Sequence, residues 1–167
     1  MNAEKISAVC QAMIDYYSGD PKRIQHFMKV HAFAKLIAEK ECLSENDSLV
    51  IEIAALVHDI GIKNAEIKYH SSMGKYQEQE GPSEAKKLLE RLNIDAQVID
   101  RVCYLVGHHH TYKAIDGIDY QILVEADFLV NIYEDSLPQS SVASVLHKIF
   151  KTKSGINLLR TIYAVED

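Results

Sequence analysis

Proline and glycine are rare in this chain, and their scarcity is the feature that most limits how it can fold. Only three prolines and seven glycines occur among 167 residues, and no stretch shows the strict alternation of apolar and polar residues typical of a half-buried strand. Helices are favoured, because they need long runs free of both residues. The sequence therefore predicts an all-α fold, one compact bundle of about seven to eight helices.

Apolar residues recur at steps of three and four over most of the chain, which is the period of a helix with one buried face. The sequence Ser-Gly-Asp-Pro at residues 18–21 ends the first of these runs. We expect a single domain over residues 1–167, with a core at about 20–135 and C-terminal helices at 139–163 packed on it. The first helix is predicted at about residues 2–17, the second from 22 onward, and the third from the capping residues 44–47 through the apolar run 49–57. Further helices are predicted at 83–92, 95–109 and 119–134, with a last pair after Pro138.

Residues 62–82 differ from the rest of the chain. They mix Lys, Glu, Gln, Tyr and Ser without a sustained apolar period, and we predict a long loop. Loops of more than about 12–15 residues are uncommon in compact domains unless they bind ligands or cover a site. Substrate choice is expected to reside in this segment and in Tyr112.

Charge and hydropathy exclude several classes of partner. The chain has 18 basic and 24 acidic residues and a net charge of −6, which argues against a broad contact with nucleic-acid backbone. No stretch approaches the roughly 18 apolar residues of a membrane span, and the first residues lack the layout of a signal peptide. We therefore expect a cytoplasmic protein without nucleic-acid or membrane partners, and a homodimer stays open. The three cysteines are scattered, which argues against a thiolate metal site.

A His-Asp pair ends the most apolar helix of the chain. His58 and Asp59 directly follow the apolar run at residues 49–57. An ionised carboxylate in such surroundings is costly unless it is paired or bound to a metal. The pair is therefore a candidate site, although a helix end that simply reaches solvent is an alternative.

A second acidic residue interrupts another apolar helix. Asp127 lies within residues 122–130, which are otherwise almost entirely apolar. Asn131 lies four residues later and so on the same helix face, where it can contact a ligand or substrate. A structural ion pair of Asp127 is the alternative.

Two histidines of the second helix, His26 and His31, compete for a place in the core. Each is in line with apolar residues at steps of three and four. The periodicity does not choose between them.

Three consecutive histidines, His108, His109 and His110, follow the apolar residues 102–106 near the end of a predicted helix. Because consecutive helical residues diverge by roughly 100°, at most two of the three rings can share one centre. Imidazole and carboxylate groups together suit Fe, Mn, Zn, Ni or Co better than Ca or Mg. The sequence therefore predicts a mixed His/Asp site for a divalent transition metal.

The order His26, His58-Asp59 and Asp127 resembles the signature of the HD-domain superfamily, whose members are mostly metal-dependent phosphohydrolases. The resemblance covers about residues 23–132, and His-Asp-Ile-Gly at residues 58–61 matches the variant with Ile-Gly after the doublet. Residues 26–30 look like the helix of the first histidine, which favours His26 over His31.

The resemblance implies a set of metal ligands. His26, His58, Asp59 and Asp127 would bind one ion. A second ion would use Asp59 as a bridge, with His108 and His109 completing its site. Departures from the family pattern argue against a complete two-metal site, since Gly81 stands where binuclear relatives carry another histidine.

The function that the resemblance implies is hydrolysis of a phosphate ester of a nucleotide or another small phosphorylated metabolite. Asp59 and either His108 or His109 would be catalytic. Lys63, Lys68 and Asn131 would bind the substrate. Two alternatives stay open, a non-catalytic module that senses a metal or ligand and a di-iron oxygenase of the same fold.

Overall fold

The computed structural model describes residues 1–165 of the chain. These residues contain nine helices and no strand. The prediction of an all-α fold is confirmed. The helices are α1 (Asn2–Tyr16), α2 (Pro21–Lys40), α3 (Glu45–Val57), α4 (Ile62–Tyr69), α5 (Gly74–Arg91), α6 (Ala96–Val106), α7 (Ile118–Glu134), α8 (Gln139–Lys148) and α9 (Lys153–Tyr163).

Short polar side chains begin two of the central helices. The Asp20 carboxylate accepts a hydrogen bond from the Arg23 backbone N–H at 3.2 Å, and Pro21 occupies the first position of α2, where a missing N–H has no cost. The Ser44 hydroxyl accepts from the Asp47 backbone N–H at 3.1 Å at the start of α3. Such caps satisfy backbone donors that the helix leaves free.

Helix α3 lies at the centre of the bundle. It packs against α1, α2, α6 and α7, and all nine residues from Leu49 to Val57 are buried. Burial of a helix on every side explains why this run is apolar all round rather than on one face. The end of α3 therefore lies in the interior of the bundle, next to α2 and α7.

The prediction of a long loop over residues 62–82 is wrong, because α4 and the first half of α5 occupy it. The side chains that α5 buries in this half are Gln77, Glu80 and Gly81. None of them is apolar and large, so the segment shows no apolar period. Hydrogen bonds hold it instead. The Glu80 carboxylate accepts from Lys68 Nζ at 2.5 Å and from the Tyr69 hydroxyl at 3.0 Å.

Two glycines let α5 approach the end of α3. A Cβ on Gly61 would lie 2.5 Å from the Gln77 carbonyl oxygen and 2.7 Å from the Gly81 backbone nitrogen, which is too close for any side chain. A Cβ on Gly81 would lie 2.6 Å from a Val106 methyl group. The contact brings α5 beside the residues that follow α3 and α6.

The C-terminal helices are joined to α7 by a buried carboxylate. Glu125 is fully buried and accepts hydrogen bonds from the Lys151 and Thr152 backbone N–H groups at 2.6 and 2.9 Å. These groups lie just before α9, where a negative charge is favourable. Helix α9 packs on α2 and α7. Among the helices of residues 1–165, none has the length and apolar character that crossing a membrane requires.

Candidate metal centre

Four side chains from three parts of the chain converge at the centre of the bundle. His26 is on α2, Asp127 is on α7, and His58 and Asp59 directly follow α3. His26 Nε2 lies 3.2 Å from His58 Nε2 and 3.3 Å from both Asp59 Oδ2 and Asp127 Oδ1. His58 Nε2 lies 3.4 Å from Asp59 Oδ2 and 3.6 Å from Asp127 Oδ1. Ligands about 2.0–2.2 Å from one ion lie roughly 3.0–3.6 Å apart, so the separations of the two carboxylates from the imidazole nitrogens fit a shared ion.

The cluster is largely buried. His58 is fully buried, and His26 and Asp127 are buried as well. Only Asp59 is partly exposed, and its backbone carbonyl accepts a hydrogen bond from the Tyr17 hydroxyl at 2.8 Å. Burying two carboxylates and two imidazoles costs free energy unless opposite charge compensates them.

The hydrogen bonds of the two imidazoles show where their protons lie. His26 Nδ1 donates to Glu134 Oε2 at 2.9 Å, and His58 Nδ1 donates to the Ala55 carbonyl oxygen at 2.8 Å. A neutral imidazole has one N–H only. Both Nε2 atoms therefore turn a lone pair into the same space, only 3.2 Å apart. Two lone pairs and two carboxylates attract positive charge, either a metal ion between them or a second proton on an imidazole.

The pKa directions in this cluster follow from the same charge distribution. Burial lowers the pKa of His58, but the charges of Asp59 and Asp127 overcome that effect and raise it to about 9. The pKa of Asp127 is held well below its usual range, because hydrogen bonds from His26 and His58 outweigh burial. The cluster thus attracts positive charge, which either protons or a metal ion supplies.

A third imidazole, His109, faces the other side of Asp59. It is buried, and its Nδ1 donates to the Val106 carbonyl oxygen at 2.8 Å. Its Nε2 has no hydrogen-bond partner and lies 3.4 Å from Asp59 Oδ1. A buried acceptor without a partner is rare in proteins. This unsatisfied nitrogen fits a metal ligand, with the two oxygens of Asp59 turned towards two different sets of histidines.

Of the three consecutive histidines, His109 and His110 face the cluster. Among the described residues, two groups have ligand atoms within 4.8 Å of one another, His26 with His58 and Asp59, and Asp59 with His109 and His110. His108 lies apart from them. Its Nδ1 donates to the Tyr104 carbonyl oxygen at 2.7 Å, and its ring stacks on that of Tyr104.

The ambiguity between the two histidines of α2 is resolved by geometry. His26 is in the cluster, whereas His31 Nε2 pairs with Glu52 Oε2 at 2.9 Å elsewhere on α3. Both histidines are turned inward, as their spacing indicates, and each meets a carboxylate. Helical period alone does not distinguish them, because it says nothing about which neighbouring helix carries further ligands.

Three residues expected to bind substrate lie in different surroundings. Asn131 lines the cleft, and its amide donates to Asp127 Oδ1 at 2.9 Å, so it orients that carboxylate. Lys63 Nζ donates to the Tyr16 carbonyl oxygen at 3.2 Å. Lys68 pairs with Glu80. Neither lysine lines the cleft that contains the cluster.

The cluster opens into a cleft of about 430 Å³. Its basic side chains are those of Lys22 and Arg23 at the start of α2. Arg23 is held by Asp20, 3.0 Å away, and by Glu66. The size is in the range of small-molecule sites. The lining residues are Asp20, Lys22, Arg23, His26, Asp59, Ile62, Ser72, Gln77, His110, Asp127, Asn131, Glu134 and Asp135.

Sequence reasoning missed three residues of this site, Arg23, Gln77 and Glu134. Glu134 joins His26 to Lys29 Nζ, which lies 2.7 Å from Glu134 Oε1. Arg23 has a usable signal, because it lies three residues before His26 and so on the same helix face. The sequence gives no such signal for Glu134 and Gln77. Glu134 contacts His26 and Gln77 contacts His110 only because different helices pack together.

Comparison with known proteins agrees with this geometry. The family model of the HD domain matches residues 23–156, which include all the residues of the cluster. No curated protein matches the chain. The crystal structure of a predicted HD superfamily hydrolase from an uncultured Thermotogales bacterium is similar, with a TM-score of 0.64 and 24% sequence identity, and the match covers 97% of this chain and 84% of that one. At this identity the likeness concerns the fold. On the match over residues 23–156, the chain belongs to the HD-domain family.

Proposed function

We propose that the protein is a metal-dependent hydrolase that cleaves a phosphate ester of a nucleotide or another small phosphorylated metabolite. One observation carries the proposal. Lone pairs of buried histidines and two carboxylates converge at the floor of a cleft whose basic side chains are Lys22 and Arg23. A cation site next to positive side chains suits a substrate with a phosphate group.

The donor set suits a divalent transition metal such as Fe, Mn, Zn, Ni or Co. His26, His58, Asp59 and Asp127 would hold the first ion. These residues supply imidazole nitrogen and carboxylate oxygen ligands. A bound ion of this kind lowers the pKa of water and withdraws charge from a phosphoryl oxygen.

A second ion would be held by Asp59, His109 and His110. The distances support this division, because Asp59 Oδ2 is 3.3 Å from His26 Nε2 and Asp59 Oδ1 is 3.4 Å from His109 Nε2. Asp59 would thus bridge the two positions. His110 takes the place in this arrangement that the sequence pattern assigned to His108.

The remaining residues would bind and orient the substrate. Arg23 is fixed between Asp20 and Glu66, so its guanidinium is ordered before a substrate arrives. A preorganised arginine loses little conformational entropy when it binds phosphate. When only the first position is filled, a doubly protonated His109 could donate its Nε2 hydrogen to the leaving group.

The test is hydrolysis of a broad panel of phosphate mono- and diesters by protein loaded with each candidate metal. We expect turnover by the wild type and by Asp100→Asn, a control on the exposed face of α6, and none by Asp127→Asn. Absence of hydrolysis by fully loaded wild type would contradict the proposal. Oxygen uptake by a two-iron form would then favour the oxygenase alternative, and binding of phosphorylated compounds without turnover would favour a sensing module.

A further inference from the structure

The amide of Gln77 lies between a backbone carbonyl and His110. Gln77 is buried on the first turn of α5. Its Nε2 donates to the Ser72 carbonyl oxygen at 2.7 Å, and its Oε1 lies 3.0 Å from His110 Nε2. The bond to Ser72 fixes the orientation of the amide, because a carbonyl oxygen only accepts.

This orientation determines where the His110 proton lies. Since the amide oxygen of Gln77 faces the ring, His110 Nε2 must carry the hydrogen and donate it. In the neutral imidazole the other nitrogen, Nδ1, then has the free lone pair. The pattern is the reverse of that in His26, His58 and His109, where Nδ1 carries the hydrogen.

The start of α5 also holds His110 in place. The Glu78 carboxylate accepts from the His110 backbone N–H at 2.9 Å and from the Thr111 hydroxyl at 3.0 Å. A Cβ on Gly74 would lie 2.8 Å from His110 Cγ, so the ring packs directly on the α5 backbone. Both the main chain and the ring of His110 are therefore constrained by one helix.

We propose that Gln77 is a positioning residue that makes His110 bind the second ion through Nδ1, whereas the other histidines of the centre bind through Nε2. The inference rests on the metal centre proposed above and concerns only its second position. The ligand atoms of Asp59, His109 and His110 lie within 4.8 Å of one another, so the residues for that position are already assembled. Contacts that orient a ligand typically change metal affinity by about 10–100-fold.

The first test reads the nitrogen atom directly in the wild-type protein. Protein with ¹⁵N-labelled histidine is loaded with ¹¹³Cd²⁺, and coupling between cadmium and nitrogen identifies each ligand atom. We expect coupling to Nδ1 of His110 and to Nε2 of His26, His58 and His109. Coupling to Nε2 of His110, or no second cadmium at all, would overturn the inference.

The second test uses variants of the glutamine. Gln77→Leu removes the acceptor, and we expect it to weaken the second ion about 10–100-fold while the first ion is retained. Gln77→Glu keeps an acceptor for His110 but loses the donor to the Ser72 carbonyl oxygen, so we expect it to bind the second ion more tightly than Gln77→Leu but more weakly than the wild type. Gln79→Leu, which changes an exposed glutamine on the same helix, is the control. Equal affinity of Gln77→Leu and the wild type for the second ion would overturn the inference.

Both tests measure metal and need no substrate. Two bound ions without hydrolysis would contradict the proposed function and leave the inference intact. One bound ion with hydrolysis would contradict the inference and leave the proposed function intact. Retention of the first ion by Gln77→Leu also shows that the variant is folded.

Discussion

The two sides of the metal centre are built in different ways. On one side, which we name the apolar wall, His26, His58 and Asp127 project from α2, the end of α3 and α7, helices that the core buries. On the other side, the polar wall, His110 is held by Gln77 and Glu78 of α5 through hydrogen bonds. Tight packing fixes the first set, whereas a few polar contacts fix the second. We therefore expect the first ion position to be robust and the second to be easily lost.

The largest expected effect comes from the apolar wall. His58→Ala removes a fully buried ligand and one of the two imidazoles that lie between Asp59 and Asp127. We expect affinity for the first ion to fall by more than about 100-fold, the upper end for loss of a contact that only orients a ligand. Calorimetric titration with Zn²⁺ measures this loss. Unchanged affinity would show that the apolar wall does not hold the ion.

The next largest effect concerns substrate binding and distinguishes Arg23 from Lys68 as the residue that contacts the phosphate. Arg23→Ala on α2 should raise KM for a phosphate ester about 10–100-fold, which corresponds to the loss of a charge-assisted hydrogen bond. Lys68→Ala on α4 should leave KM unchanged, because Lys68 pairs with Glu80 outside the cleft. Steady-state kinetics distinguishes them. A larger effect of Lys68→Ala would contradict the assignment of the phosphate contact to Arg23.

The sequence predicted the two walls unequally, and the difference has a physical origin. Asp127 interrupts an apolar run and His58 directly follows one, so both are conspicuous in the sequence, whereas only the family resemblance favours His26 over His31. The buried positions of α5 near the site are filled by Gln77, Glu80 and Gly81. A helix that packs through polar and small side chains has the composition of a loop. The packing of α5 also determines which of the histidines at 108–110 faces the metal centre, so the sequence alone does not predict it.

A glycine contact between the walls gives a smaller effect. Gly61→Ala places a methyl group against the α5 backbone, which cannot rotate away, and overpacking of this kind typically costs about 1–3 kcal/mol. The free energy of unfolding should fall by this amount, and affinity for the second ion should fall more than that for the first. Gly81→Ala meets only a Val106 methyl group and should cost less. Chemical denaturation and metal titration of both variants measure these effects, and equal loss at both ions would contradict the separation of the walls.

A further effect concerns the metal-free protein. In the folded chain the pKa of His58 is raised to about 9, above its unfolded value of about 6.5. Protonated His58 therefore stabilises the fold fully below about pH 6.5, and this contribution is lost as the pH rises through about 9. With chelator present, Tm should be lower at pH 9.5 than at pH 6.5. Metal-loaded protein is the control, because a bound ion replaces the proton, and a flat profile without metal would contradict the pKa direction.

The central claim is that the converging histidines and carboxylates bind a metal ion. Its most direct test is mass-spectrometric metal content of protein purified without added metal or chelator, measured for the wild type, Asp127→Asn and Asp100→Asn. We predict at least one transition-metal ion per chain in the wild type and in Asp100→Asn, and nearly none in Asp127→Asn. Equal metal content in Asp127→Asn and the wild type would contradict the assignment, as would wild-type protein that stays metal-free after incubation with each candidate ion.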